Sequence, residues 1–132
     1  MNMKKLLLAT LGVGVVANVV DFVFHGLIMR GYYARLPVMR PDAEMPLLVI
    51  GDFVAALVFV WVYDRVYGSF GGGAKGGATY GLYAGVLVNF PTWIFAHMLF
   101  VGFPYGLSWI WTAFGIVWFV INGAVAGAIY KK

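Results

Sequence analysis

Long apolar runs separated by short polar stretches make up almost the whole chain. A membrane-spanning helix needs roughly 20 mostly apolar residues at about 1.5 Å of rise each. Four stretches meet that requirement, at 6–29, 45–63, 79–101 and 108–130. The pattern predicts an all-α, four-helix transmembrane bundle forming one domain over residues 1–132. Met3-Lys4-Lys5 followed by leucines imitates a signal peptide. Its apolar run, however, outlasts an h-region of roughly 7–15 residues and meets no A-x-A site, so the first span is expected to be retained.

Composition narrows the class further. Only 11% of the residues are charged and 63% are hydrophobic, where a soluble domain carries roughly 25% charged residues. That is too little charge to cover a globule, which excludes a soluble enzyme or a disordered chain. The formal net charge of +4 comes from Lys and Arg scattered over ends and loops. Without a basic stripe, the expected partner is the lipid bilayer and not a nucleic acid. The absence of cysteine removes disulfides, thiolate metal sites and Cys nucleophiles.

Lys4, Lys5, Arg65, Lys75, Lys131 and Lys132 fall on one side of a four-span topology, and Arg30, Arg35 and Arg40 on the other. The positive-inside rule then expects both termini in the cytoplasm and a multi-pass location in the cell's inner (cytoplasmic) membrane. Tyr32, Tyr33, Tyr67, Trp109, Trp111 and Tyr130 lie near helix ends, where interfacial aromatics belong. The stretch G-S-F-G-G-G-A-K-G-G at 68–77 matches G-x-G-x-x-G. No strand precedes it, and Lys75 is followed by Gly76 instead of Ser or Thr, so a flexible connector is expected.

Gly73, Gly77, Gly81 and Gly85 recur every fourth residue, and Gly123 and Gly127 repeat the spacing in the last span. Such a glycine zipper allows close helix packing. Pro91 removes the amide that would bond the Leu87 carbonyl, which predicts a bend or a freed carbonyl. A shift of 71 residues aligns Gly14–Asn18 with Gly85–Asn89, Gly31 with Gly102 and Leu36 with Leu107. Two related helical hairpins would share an axis along the membrane normal; a chance match among common residues is the alternative.

Ionisable groups inside a span cost roughly 2.5–3.5 kcal/mol each on insertion scales and point to a site. The first span holds Asn18, Asp21 and His25, which with Gly14 fall within an arc of about 60° on an α-helix. The second holds Asp52, the third Asn89, Thr92 and His97, and the fourth Thr112 and Asn122. At about 1.5 Å per residue, Asp21 and Asp52 lie about 3–5 Å to the outer side of the bilayer centre, and His25 and His97 about 10–11 Å. These groups lie beneath an outer loop bearing Arg40 and Glu44.

Three functional readings follow. In the first, the polar cluster is structural or holds a small ligand. The protein would then be a non-enzymatic interaction or accessory subunit, packed as a homo-oligomer or in a larger membrane complex, with no cofactor required. In the second, Asp21, His25 and Asp52 form the relay of a proton- or metal-coupled carrier. In the third, His25 and His97 bind haem, or a metal with Asp21 and Asp52. Against the third, the 71-residue offset sets Ala96 opposite His25 and turns His97 about 100° from the Asn89–Thr92 face. Serine is scarce and no H-E-x-x-H occurs, so catalysis has no residue pattern behind it.

Four strings carry a resemblance: D-F-V-F-H-G at Asp21–Gly26, R-P-D-A-E-M at Arg40–Met45, Y-G-L-Y-A-G at Tyr80–Gly85 and A-I-Y-K at Ala128–Lys131. From about residue 18 onward the chain resembles a group of small, uncharacterised bacterial four-span membrane proteins. The resemblance implies architecture more than activity. It singles out Asp21, His25, Arg40 and Glu44, whereas His97 and the glycines at 71–77 lie outside its pattern.

Overall fold

The computed structural model describes residues 2–40 and 44–130, and the described chain is 86% helical with no strand. Helix α1 (Met3–Asp21) is capped by Asn2, whose Oδ1 accepts from the Lys5 amide at 3.2 Å. It continues as a π-helix over Phe22–Ile28, then turns into the short α2 (Arg30–Tyr33). Helices α3 (Met45–Phe70), α4 (Gly73–Leu99) and α5 (Tyr105–Ile129) complete the fold. All four long segments are long and apolar enough to cross a membrane. The protein is therefore an all-α, multi-pass membrane protein.

α1 packs on α3 and α5, while α4 packs chiefly on α5 and less on α3. Helix neighbours thus close a ring in which α1 and α4 stand diagonally. The end carrying residues 29–44 and 100–104 is called the long-loop end below, and the opposite one the terminal end. The core lies toward the terminal end. There Leu6, Ala9 and Val13 of α1 meet Val60 and Tyr63 of α3, with Ala126 and Tyr130 closing the cluster. At the long-loop end, residues 45–51 of α3 are exposed on every face.

The glycine spacing is used where α4 meets α5. A Cβ on Gly77 would strike the Gly123 carbonyl, and one on Gly127 the Gly73 carbonyl. The two backbones touch along this line, so no side chain fits between them. This contact also corrects the expected connector at 68–77. The link between α3 and α4 is only Gly71 and Gly72, and Gly73, Gly76 and Gly77 belong to α4. Gly71, Gly72 and Gly73 have φ of 77°, 69° and 64°, a region that L side chains avoid. Glycine here makes a tight reversal; it does not make a loose tether.

The asparagines at the 71-residue offset make the same bond within their own helices, one that Asn122 also makes off that offset. Asn18 Nδ2 donates to the Gly14 carbonyl at 2.9 Å, and Asn89 Nδ2 to the Gly85 carbonyl at 3.0 Å. The likeness stops at the loops: Gly31 lies in α2, whereas Gly102 turns at φ 86°. α4 runs through Pro91 to Leu99, so the proline does not end the helix.

Candidate functional site

Between α1, α4 and α5, toward the long-loop end, lies a cleft of about 290 Å³. Asp21 and His25 line it from the first span, Asn89 and Trp93 from α4, and Trp111, Phe114, Gly115 and Trp118 from α5. The π-helix begins one residue after Asp21 and carries His25 at its middle. Such i→i+5 turns are rare and concentrate at functional sites. Here the amide of Met29 reaches the Phe24 carbonyl at 2.8 Å. The wider turn ends the α-helical register of Asn18, Asp21 and His25. It sends His25 among Phe24, Tyr33, Trp111 and Phe114, with ring centroids 4.9–6.2 Å away.

A string of polar contacts runs through this cage. His25 Nδ1 and the Tyr33 hydroxyl are 2.5 Å apart, and Trp111 Nε1 donates to the same hydroxyl at 2.7 Å. His25 Nε2 faces Asp21 Oδ1 at 4.0 Å. One order of donors gives each N–H and O–H linking Trp111, Tyr33 and His25 Nδ1 an acceptor, and leaves Nε2–H beyond hydrogen-bond distance of Asp21, at 4.0 Å. Trp111 donates to Tyr33, Tyr33 donates to His25 Nδ1, and Nε2–H faces Asp21. Burial pushes the Tyr33 phenol above its ordinary value, with the Trp111 N–H pulling the other way. The phenol therefore remains a donor throughout the neutral range.

From α3, Asp52 stands within side-chain hydrogen-bonding reach of Asp21. The expectation that Asp21, His25 and Asp52 converge thus agrees with the geometry. Asp52 takes no partner from Arg30 or Arg35 among the described residues; its neighbour is the other carboxyl. The Trp118 indole N–H is turned toward Asp21 and completes no hydrogen bond among the described residues.

The other candidates are placed differently. Asn18 is spent on its own helix and does not line the cleft. Asn89 does line it, but both ends of its carboxamide are occupied, since Oδ1 accepts from Trp93 Nε1 at 3.2 Å. Thr112 also reaches the Asn89 carbonyl, at 3.5 Å. Gly115 makes room for this arrangement, because a Cβ there would collide with the Asn89 carboxamide. Thr92 is exposed and bonds back to the Val88 carbonyl at 2.6 Å. Asn122 is fully buried and donates to the Trp118 carbonyl at 3.0 Å. Arg40 and Glu44 are exposed and outside the cleft.

His97 bonds the Phe103 carbonyl at 2.9 Å and packs on Tyr105, which corrects its pairing with His25. It does not line the cleft, and among the described residues no three His, Asp or Glu side chains stand together as a metal site. Its helix has turned it toward the loop at 100–104.

Six lining or linking residues carried no functional expectation: Tyr33, Trp93, Trp111, Phe114, Gly115 and Trp118. Tyr33 and Trp111 were expected at the interface, and they turn inward to His25 instead. Trp109 and Tyr32 do keep exposed positions near helix ends. Tyr130 is only 1% exposed and donates to Asp64, itself 3% exposed. Asp64 lies one residue beyond the predicted end of the second span, so the sequence did not mark it as buried. Arg65 approaches the other carboxyl oxygen at 4.0 Å.

No family model, curated protein or solved structure matches this chain.

Proposed function

We propose that the protein is a small non-enzymatic membrane protein that binds a small ligand in the cleft beside Asp21 and His25. One observation carries this reading. The intramembrane polar groups do not merely close on one another; Asp21 and His25 edge a cavity of about 290 Å³ with aromatic walls. Small-molecule sites have this make-up, a mostly apolar hollow with a few oriented polar groups.

The positive-inside count places both termini in the cytoplasm of the bacterial cell, with the cleft opening in the outer half of the inner membrane. The all-round exposure of residues 45–51 supports a lateral partner on α3, either a second copy or a subunit of a larger complex. The resemblance to small bacterial four-span proteins agrees with this setting.

The test is a thermal-shift series on protein in lipid nanodiscs, with anionic, neutral and cationic ligands of comparable size. At least one class should raise Tm by several degrees in the wild type and fail to do so in Asp21→Asn. The reading falls if no class gives a shift that depends on Asp21.

A second reading, proton-linked carriage, is favoured by the string Asp52–Asp21–His25–Tyr33. Proteoliposomes loaded with a pH dye test it. Substrate-driven proton movement should vanish in Asp21→Asn and slow in His25→Gln, and equal proton movement with and without substrate would overturn it.

A further inference from the structure

The chemistry of the cleft favours one charge of ligand. Its edge carries Asp21, with Asp52 in hydrogen-bonding reach from α3. Two carboxyl groups hydrogen-bond to each other only through a proton, so a pair holding one proton bears one net negative charge. The other titratable groups facing Asp21 are His25, at 4.0 Å, and beyond it Tyr33. In the donor order given above, His25 is neutral. α4 and α5 contribute Asn89 and Trp118, which do not titrate, and no Lys or Arg lines the cleft. A charge at this depth is costly unless it is compensated.

The remaining walls are aromatic. Trp93, Trp111, Phe114 and Trp118 surround the cavity, and such rings attract alkylammonium groups through their quadrupoles. A second observation concerns the wall beside Asp21. Trp118 is only 8% exposed, lines the cleft, and has an indole N–H with no hydrogen-bond partner. Buried donors of this kind are normally satisfied. A hydroxyl or carbonyl oxygen near the ligand's ammonium centre would satisfy this one.

We propose that the cleft is a site for a small organic ammonium cation, held by Asp21 against the tryptophan wall and taken up in exchange for one proton. The inference rests on the ligand-binding reading above and names its ligand class. In the exchange a carboxyl O–H bond breaks, its electron pair stays on the oxygen, and the proton leaves as the cation enters. The charge held inside the membrane is unchanged. The volume of about 290 Å³, just below the roughly 300–1,000 Å³ range of ligand sites, suits one compact ammonium group with a short substituent.

Titration calorimetry on the full chain in zwitterionic nanodiscs tests this, with benzyltrimethylammonium and its neutral carbon isostere neopentylbenzene as probes. The cation should bind at least about tenfold more tightly than the isostere, as a charge and aromatic walls together predict. One proton should be released per cation, read from the dependence of the heat on buffer. Asp21→Asn should abolish the preference. Phe114→Leu, a milder change, should weaken the cation several-fold and leave neopentylbenzene nearly unaffected. Equal binding of the two probes by wild-type protein would overturn the cation assignment while leaving a ligand site. Binding of neither, with no other ligand class giving an Asp21-dependent thermal shift, would overturn both.

Discussion

Tyr33 is the residue on which the polar string turns. Its one hydroxyl serves the Trp111 N–H and the His25 ring, 2.7 and 2.5 Å away. Tyr33→Phe keeps the ring stack on His25 but leaves two part-buried polar atoms unpaired, at the lower end of the roughly 1–3 kcal/mol that a buried group costs. The variant should lower Tm by several degrees. Trp111→Phe on top of it should cost less than on the wild type, because the shared bond is already gone. Additive losses would show that Tyr33 and Trp111 do not act together. At the opposite end Tyr130 and Asp64 pose the same problem. Tyr130→Phe removes the donor from a carboxyl only 3% exposed, so it too should destabilise by about 1–3 kcal/mol in a chemical-denaturation series.

Helices bring these residues together by departing from regularity. Seven residues of π-helix follow Asp21, and the change of turn redirects His25 into the α5 aromatics. The α4–α5 pair comes close by another device, with Gly77 and Gly81 of α4 set against the backbone at Gly123 and Phe119 of α5. A methyl group at Gly77 meets the Gly123 carbonyl, which has no side-chain freedom to yield. Gly77→Ala should therefore cost about 1–3 kcal/mol, the usual range for overpacking. Gly51→Ala is the control, since no atom lies within 4 Å of its added Cβ. It should leave stability unchanged or raise it by up to about 1 kcal/mol through helix propensity. Equal loss in both variants, measured by thermal melting, would refute close packing as the role of Gly77.

Across the whole molecule, the compact core and the cleft lie at opposite ends. The terminal end holds the compact apolar cluster of Leu6, Val13, Val60 and Tyr63, while the long-loop end holds the cleft and the polar string. Amide exchange should follow this division, because local opening is cheapest where buried apolar contacts are fewest. Amides of residues 45–51 should exchange faster than those of 56–63. Orientation is open to a direct check, because the chain has no cysteine. Ser69→Cys, at an exposed position, should be labelled from the cytoplasmic side and Val38→Cys from the other.

Much of this was legible in the residues themselves. Four apolar runs of sufficient length specify four spans, since the bilayer leaves backbone polar groups no partner except those within a helix. The cost of Asp21, Asp52 and His25 in such runs marked them as a cluster, and glycine every fourth residue marked the α4 packing face. Other features depend on contacts between distant segments, which no local pattern encodes. The π-turn arises after Asp21 with no proline to announce it, and its one glycine, Gly26, lies inside the segment. His97 and His25 share a depth, yet their helices turn them apart, one to the Phe103 carbonyl and the other to Tyr33. Trp111 and Tyr33, 78 residues apart, look like interfacial aromatics until α2 folds back and brings them to one hydroxyl bond. Which groups enter the membrane follows from the hydrophobic cost of each residue along the chain. Which of them meet follows from helix rotation and the neighbours across the bundle, and these exist only once the helices have packed.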